Sequence, residues 1–190
     1  MIRNYALLAL FGAFVLAGCD SGDVPSPAER QQGQTAEQPI AADVVELRPE
    51  GLAAGPEAFF FAAGQKEVET ALGRALGAPL RQGSNNECGA GPVTFTDFSG
   101  GLTAHFQQGR LVGWNWHGPQ EGDPPATGTI RLAGAVEVGS PRSLAQAASG
   151  YAPLEGSTLG EEFALGQSIG GFIAGDAVEM LYAGTQCFFR

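Results

Sequence analysis

The chain has 190 residues, 29 of them glycine, and sets 10 basic against 20 acidic side chains for a net charge of −10. It carries no basic cluster, which argues against a nucleic-acid partner, and an acidic surface is repelled by anionic lipid headgroups. The length suffices for one sizeable core or two small stacked units.

The N-terminal segment has the pattern of an export signal. Arg3 supplies a positive start, Tyr5 to Val15 is almost wholly apolar, and the segment ends Leu16-Ala17-Gly18-Cys19. A charged start, an apolar run and a small-residue cut site make a secretory signal. The run is shorter than the roughly 20 residues of a transmembrane helix. Its last four residues resemble the lipobox of bacterial lipoprotein precursors. That resemblance implies a signal peptide over 1–18, cleavage before Cys19, and lipidation of the Cys19 thiol. The expected location is the cell envelope, lipid-anchored and facing the periplasm. Asp20 resembles the signal that retains enterobacterial lipoproteins, so the inner membrane is expected over the outer. Residues 19–42 contain Pro25, Pro27 and Pro39 among small and polar residues, with no aromatic. Such a segment cannot bury enough surface to offset its ordering entropy, so a flexible tether is expected, spanning roughly 25 to 30 Å.

Residues 43–190 are expected to fold. Val44–Leu47 reads as a strand. Val68, Ala71, Leu72, Ala75 and Leu76 then form one helical stripe, which Gly77 and Pro79 end. Val93–Phe98 is strand material. Phe106–Gly118 reads as a hairpin with a two-residue turn at Gln108-Gly109. That pairing puts His105, Val112, Trp114 and Trp116 on one face. A second series follows: a strand at Thr129–Leu132, then a helix that Ser140 can cap, with Pro141 in its first turn. Leu144, Ala147, Ala148 and Tyr151 form its expected stripe, and Gly150 its stop. Strand material recurs at Leu159–Leu165. Phe172–Gly184 aligns without gaps on Phe106–Gly118 and offers Val178, Met180 and Tyr182 on the equivalent face. The predicted fold is therefore α+β. It comprises two tandem repeats, about 43–122 and 123–190, each a short helix packed on an antiparallel sheet in the order β-α-β-β-β.

Phe61-Ala-Ala-Gly-Gln-Lys-Glu67-Val68-Glu-Thr-Ala-Leu72-Gly73 resembles the opening motif of two related groups. These are the SmpA/OmlA-type small lipoproteins of the outer-membrane assembly machine and the tandem-repeat β-lactamase inhibitor proteins. Ala62 stands where the motif has glycine, and Gly64 where it has a capping residue. The resemblance implies a helix against a three-stranded sheet, and a concave sheet surface able to bind another protein.

With Cys19 taken by lipid, Cys88 and Cys187 remain, and an even remainder in an oxidising compartment suggests a disulfide; two buried free thiols are the alternative. His105 and His117 are the only imidazoles, and the simple hairpin register places them on opposite faces, so no shared metal is expected. The carboxylates of Glu87, Asp97, Glu121, Asp123, Glu161, Glu162 and Asp176 mostly fall near predicted turns, where charge is usually solvated. No catalytic set, metal site or cofactor loop is expected. Trp114 and Trp116 either fill the core or form an exposed aromatic binding surface, since tryptophan is enriched where interfaces gain most of their energy. The expected function is a non-enzymatic protein-binding module tethered by lipid, with an envelope protein as partner. An envelope-acting hydrolase and a structural lipoprotein without a specific partner are the alternatives.

Overall fold

The computed structural model describes residues 39–188. The signal segment, Cys19 and most of the tether lie outside these residues. Strand β1 (Val44–Arg48) begins the folded part, followed by β2 (Gly51–Ala54) and β3 (Glu57–Phe60). Helix α1 (Gln65–Leu76) leads into β4 (Arg81–Asn85), β5 (Val93–Phe98), β6 (Leu102–Gln107) and β7 (Arg110–His117). Strand β8 (Thr129–Leu132) then precedes helix α2 (Arg142–Ala147). The chain closes with β9 (Tyr151–Pro153), β10 (Glu161–Leu165), β11 (Ile169–Ala174) and β12 (Ala177–Gly184).

The architecture is α+β and mostly strands. One sheet has four strands in the order β3-β2-β1-β8; the other has eight, β4-β5-β6-β7-β12-β11-β10-β9. In the large sheet every neighbour is antiparallel, and β7 and β12 meet at its centre. The strands leading the two halves, β1 and β8, pair in parallel in the small sheet, with Val45 opposite Ile130.

Helix α1 follows the predicted stripe: Val68, Ala71, Leu72, Ala75 and Leu76 are its buried residues, and Gly77 ends it at φ 101. They join Val45, Leu47 and Leu52 of the small sheet in one apolar cluster. Phe98, Leu102, Phe106, Leu111 and Trp114 of the large sheet belong to the same cluster, as do Phe163, Ile173, Val178 and Leu181 from its other strands. All of them lie on a single face of the eight strands, because side chains alternate along a strand.

Helix α2 departs from expectation. It has six residues, Ala145 is its buried residue, and Leu144 is exposed. Ala148 is already extended, and Tyr151 belongs to strand β9. Ser140 Oγ accepts from the Glu137 N–H instead of capping the helix. With fewer than two turns a helix cannot present an i to i+7 stripe, so Ala145 alone anchors it.

Both helices are tied to the large sheet in the same way. The Ala62 N–H donates to Leu111 O at 2.7 Å, and the Leu111 N–H to Ala63 O at 2.8 Å. In the second half the Gly139 N–H donates to Val178 O at 2.8 Å, and the Val178 N–H to Ser140 O at 2.9 Å. Ala62 sits at φ 80 and Gly139 at φ 84, a left-handed conformation that suits glycine and strains alanine.

The hairpin turn forms as predicted at Gln108 (φ 50) and Gly109 (φ 72). Its pairing does not follow the simple register. Phe106 faces Leu111, but His105 faces Gly113, so Val112 is an extra residue. This bulge moves His105 off the tryptophan face. A matching bulge separates Ile173, opposite Val178, from Phe172, opposite Met180. Val178 is therefore in the core, while Met180 and Tyr182 are on the other face. Ile173 faces Val178 as Phe106 faces Leu111, and Ala183, not Tyr182, shares the core face with the tryptophans.

Candidate functional site

The face of the large sheet turned away from both helices carries its polar and aromatic side chains. Register places Arg81, Asp97, Thr103, Asn115 and Tyr182 in one row across five strands. A neighbouring row holds Gly83, Phe95, His105, Gly113 and Gly184. Glu162, Phe172, Met180 and His117 make a third. The bulges at Val112 and Glu179 assemble this set: without them, His105 and Val178 would exchange faces.

The first row is held by hydrogen bonds. The Thr103 hydroxyl donates to Asp97 Oδ1 at 2.7 Å, and Arg81 Nε to Asp97 Oδ2 at 3.0 Å. From the first row the Tyr182 hydroxyl donates to Glu162 of the third, whose side chain is buried. A buried carboxylate is tolerated when it accepts such bonds. The signal for Glu162 was present in the strand alternation: it shares a face with Ala164, opposite to Phe163, and so cannot be grouped with turn carboxylates such as Asp176. Glu161 is the solvated partner of that pair and bonds to Arg142.

His105 is 9% exposed, and Asn115 Nδ2 donates to its Nε2 at 2.8 Å. The neutral imidazole then carries its proton on Nδ1, which has no hydrogen-bond partner among the described residues. Burial pushes the His105 pKa down to about 4, against the pull of the Asp97 charge. The folded protein thus refuses a proton that the unfolded chain binds between about pH 6.5 and 4. The contribution to stability is complete above pH 6.5, falls as the pH drops, and levels off below about 4. The full change is about 3 kcal/mol. Glu46, held ionised by Arg48 and Arg131 against the opposing cost of burial, loses its stabilisation in a more acidic window. Urea unfolding of the parent and of His105→Gln between pH 7 and 4.5 separates the two: the parent is expected to lose stability across this range and the variant to stay nearly flat. Parallel curves would show that His105 does not carry the effect.

The tail after β12 runs over this face. Gly184, at φ 71, turns the chain, and the Thr185 N–H donates to Val112 O at 2.8 Å. Gly113 permits the crossing, since a Cβ there would collide with the backbone of Thr185. Gln186 Nε2 donates to Trp114 O at 3.0 Å. Phe188 meets Phe172 and Tyr182 edge-on, with centroids 5.4 and 5.1 Å apart. Cys187 lies at disulfide distance from Cys88, in the loop joining β4 to β5, with Cα atoms 4.9 Å apart.

Trp114 and Trp116 are buried on the core side, with their indole N–H groups on Arg48 O and Gly100 O. They form no binding surface, because the register that brings them together points them at the small sheet and α1. His105 and His117 share a face, contrary to the simple register, but stand four residues apart along the strands. That is roughly 13 Å, too far for one metal. Among the described residues no three or more His, Cys, Asp or Glu side chains cluster to hold a metal ion. A cleft of about 720 Å³ lies at the hairpin end of the large sheet, where Ser84, Asn86, Thr94, Gln107 and Arg110 line it. The chain matches no protein family, no curated protein and no solved structure.

Proposed function

We propose that this chain is a lipid-anchored envelope protein whose folded part is a non-enzymatic protein-binding module. The observation that carries the reading is the helix-free face of the eight-stranded sheet. Seven strand spacings make it roughly 34 Å across, a width comparable to a standard interface on one partner. It offers half-buried Phe95, Met180, Tyr182 and Phe188 beside Arg81, Asp97 and His117. Apolar side chains among polar ones on a rigid sheet are what a protein partner packs against. The N-terminal pattern ending in Cys19 supports export and lipid attachment. The inner membrane is favoured on Asp20.

The same reading takes the folded part as two tandem repeats. Each helix is followed by a four-stranded meander, β4–β7 or β9–β12, and the meanders join through their last strands. Three correspondences support a duplication: the paired backbone bonds before each helix, the bulge at the same place in each last strand, and the isolated bridges Gly64–Arg110 and Pro141–Ala177.

The test is crosslinking capture from envelope extract with residues 20–190. A Phe95→Glu/Met180→Glu variant runs beside a Phe60→Glu variant, whose change lies on exposed strand β3 of the small sheet. One partner is expected with the parent and with Phe60→Glu, and a loss of at least tenfold with the outer-face variant, near-UV circular dichroism being unchanged. Equal capture by all three, or capture by none, removes the support for a binding face.

A further inference from the structure

We infer that the C-terminal tail is a redox-latched strap: the Cys88–Cys187 bond holds residues 185–188 across the outer face of the large sheet, and its reduction uncovers the floor around His105 and Asn115. Noncovalent contacts hold the strap among the described residues: the Thr185 N–H bonds to Val112 O, Gln186 Nε2 reaches Trp114 O and Ala183 O, and Phe188 packs against Phe172 and Tyr182. Against a β-sheet of eight strands this is slight, and only the sulfur bond is covalent. The tail starts over Gly113 on β7 and ends at Cys88, in the loop that meets β6 through Gln107 Nε2 and Ala90 O. Gly113, which the tail covers, is the partner of His105 across β6 and β7, and His105 is a buried imidazole on a sheet face that no helix covers.

The latch has an order of attack. Cys187 is half-exposed, whereas Cys88 is buried. A dithiol reductant meets the Cys187 sulfur first. Its thiolate bonds to that sulfur, the bond to Cys88 breaks, and the Cys88 sulfur leaves as a thiolate that takes up a proton. The second thiol of the reductant closes its own disulfide and releases Cys187 as a thiol. Two electrons pass to the protein. The sheet does not depend on the strap for its ladder, because residues 185–188 lie beyond the end of β12. Opening therefore exposes a surface and leaves the core in place.

The strap lies on the face assigned above to partner binding, but the inference rests on its own geometry, and its test does not use a partner. Diethyl pyrocarbonate modifies accessible neutral imidazoles, and His117, half-exposed on the same face, serves as the internal reference. In the oxidised protein His105 is expected to react at least tenfold more slowly than His117. After reduction by dithiothreitol and alkylation of both thiols, the two rates come within about threefold while near-UV circular dichroism persists. A full-length Cys187→Ser variant behaves as the reduced protein without any reductant. Continued protection of His105 in the reduced, folded protein overturns the strap. Loss of the near-UV signal in the reduced parent and in untreated Cys187→Ser alike overturns the latch and leaves the bond a structural staple.

Discussion

Replacing both Cys88 and Cys187 by serine is expected to lower the unfolding free energy of the folded part by about 5 kcal/mol, the value the chain-entropy account gives for a loop of about 100 residues. The two cysteines are 99 residues apart, so the bond removes much of the freedom of the unfolded chain from the middle of the first half to its end. Few other links in the molecule reach so far for so little native contact. The folded variant keeps its apolar cluster, which draws on α1, both sheets and neither cysteine. Urea titration of the parent and the double variant at pH 7 measures the difference. A change below about 1 kcal/mol would mean that the unfolded chain is already compact enough for the bond to constrain little.

Trp114→Ala is expected to cost a similar amount, about 4 kcal/mol, by a different route. Trp114 is fully buried where β7 meets the small sheet, and its Nε1 donates to Arg48 O at 3.0 Å. Truncation opens a cavity between two sheets that are each held rigid by their own ladders, so collapse around it is limited. It also deletes a hydrogen bond between the sheets. In a domain of this size the loss corresponds to a melting temperature lower by about 10 °C. The parent's tryptophan fluorescence is expected to be blue-shifted and poorly quenched by acrylamide, because Trp116 is also buried. A variant that melts with the parent, or parent fluorescence open to quenching, would contradict the position of these side chains. Both cysteines and Trp114 thus act on stability, and a binding assay on Trp114 variants reports folding rather than a surface.

Local sequence was sufficient where one periodicity dominated. The five apolar residues of α1 repeat at helical spacing, and every one is buried. The Gln108-Gly109 turn and strands β1, β5 and β8 were legible for the same reason: turn chemistry or an alternating run is written into adjacent residues. Strands β4 and β9 were not. Arg81-Gln-Gly-Ser-Asn85 lacks an apolar period because an edge strand has one bonded side and little to bury, and Pro153 sits at the other edge, where a missing N–H costs nothing. Strand β2, Gly-Leu-Ala-Ala, has low strand propensity and is fully buried, so its partners decide its state.

The sequence by itself determined the α+β class, the first helix and its buried stripe, and the hairpin turns. Only the tertiary structure decided which face each side chain takes. One bulge residue, Val112, sends His105 outward and leaves both tryptophans in the core; another, Glu179, does the same for Tyr182 and Val178. A bulge reverses every side chain beyond it, yet it arises from pairing between strands and leaves no mark in the strand's own alternation. The outer face, the buried His105 and Glu162 on it, and the tail that crosses Gly113 all follow from that long-range choice.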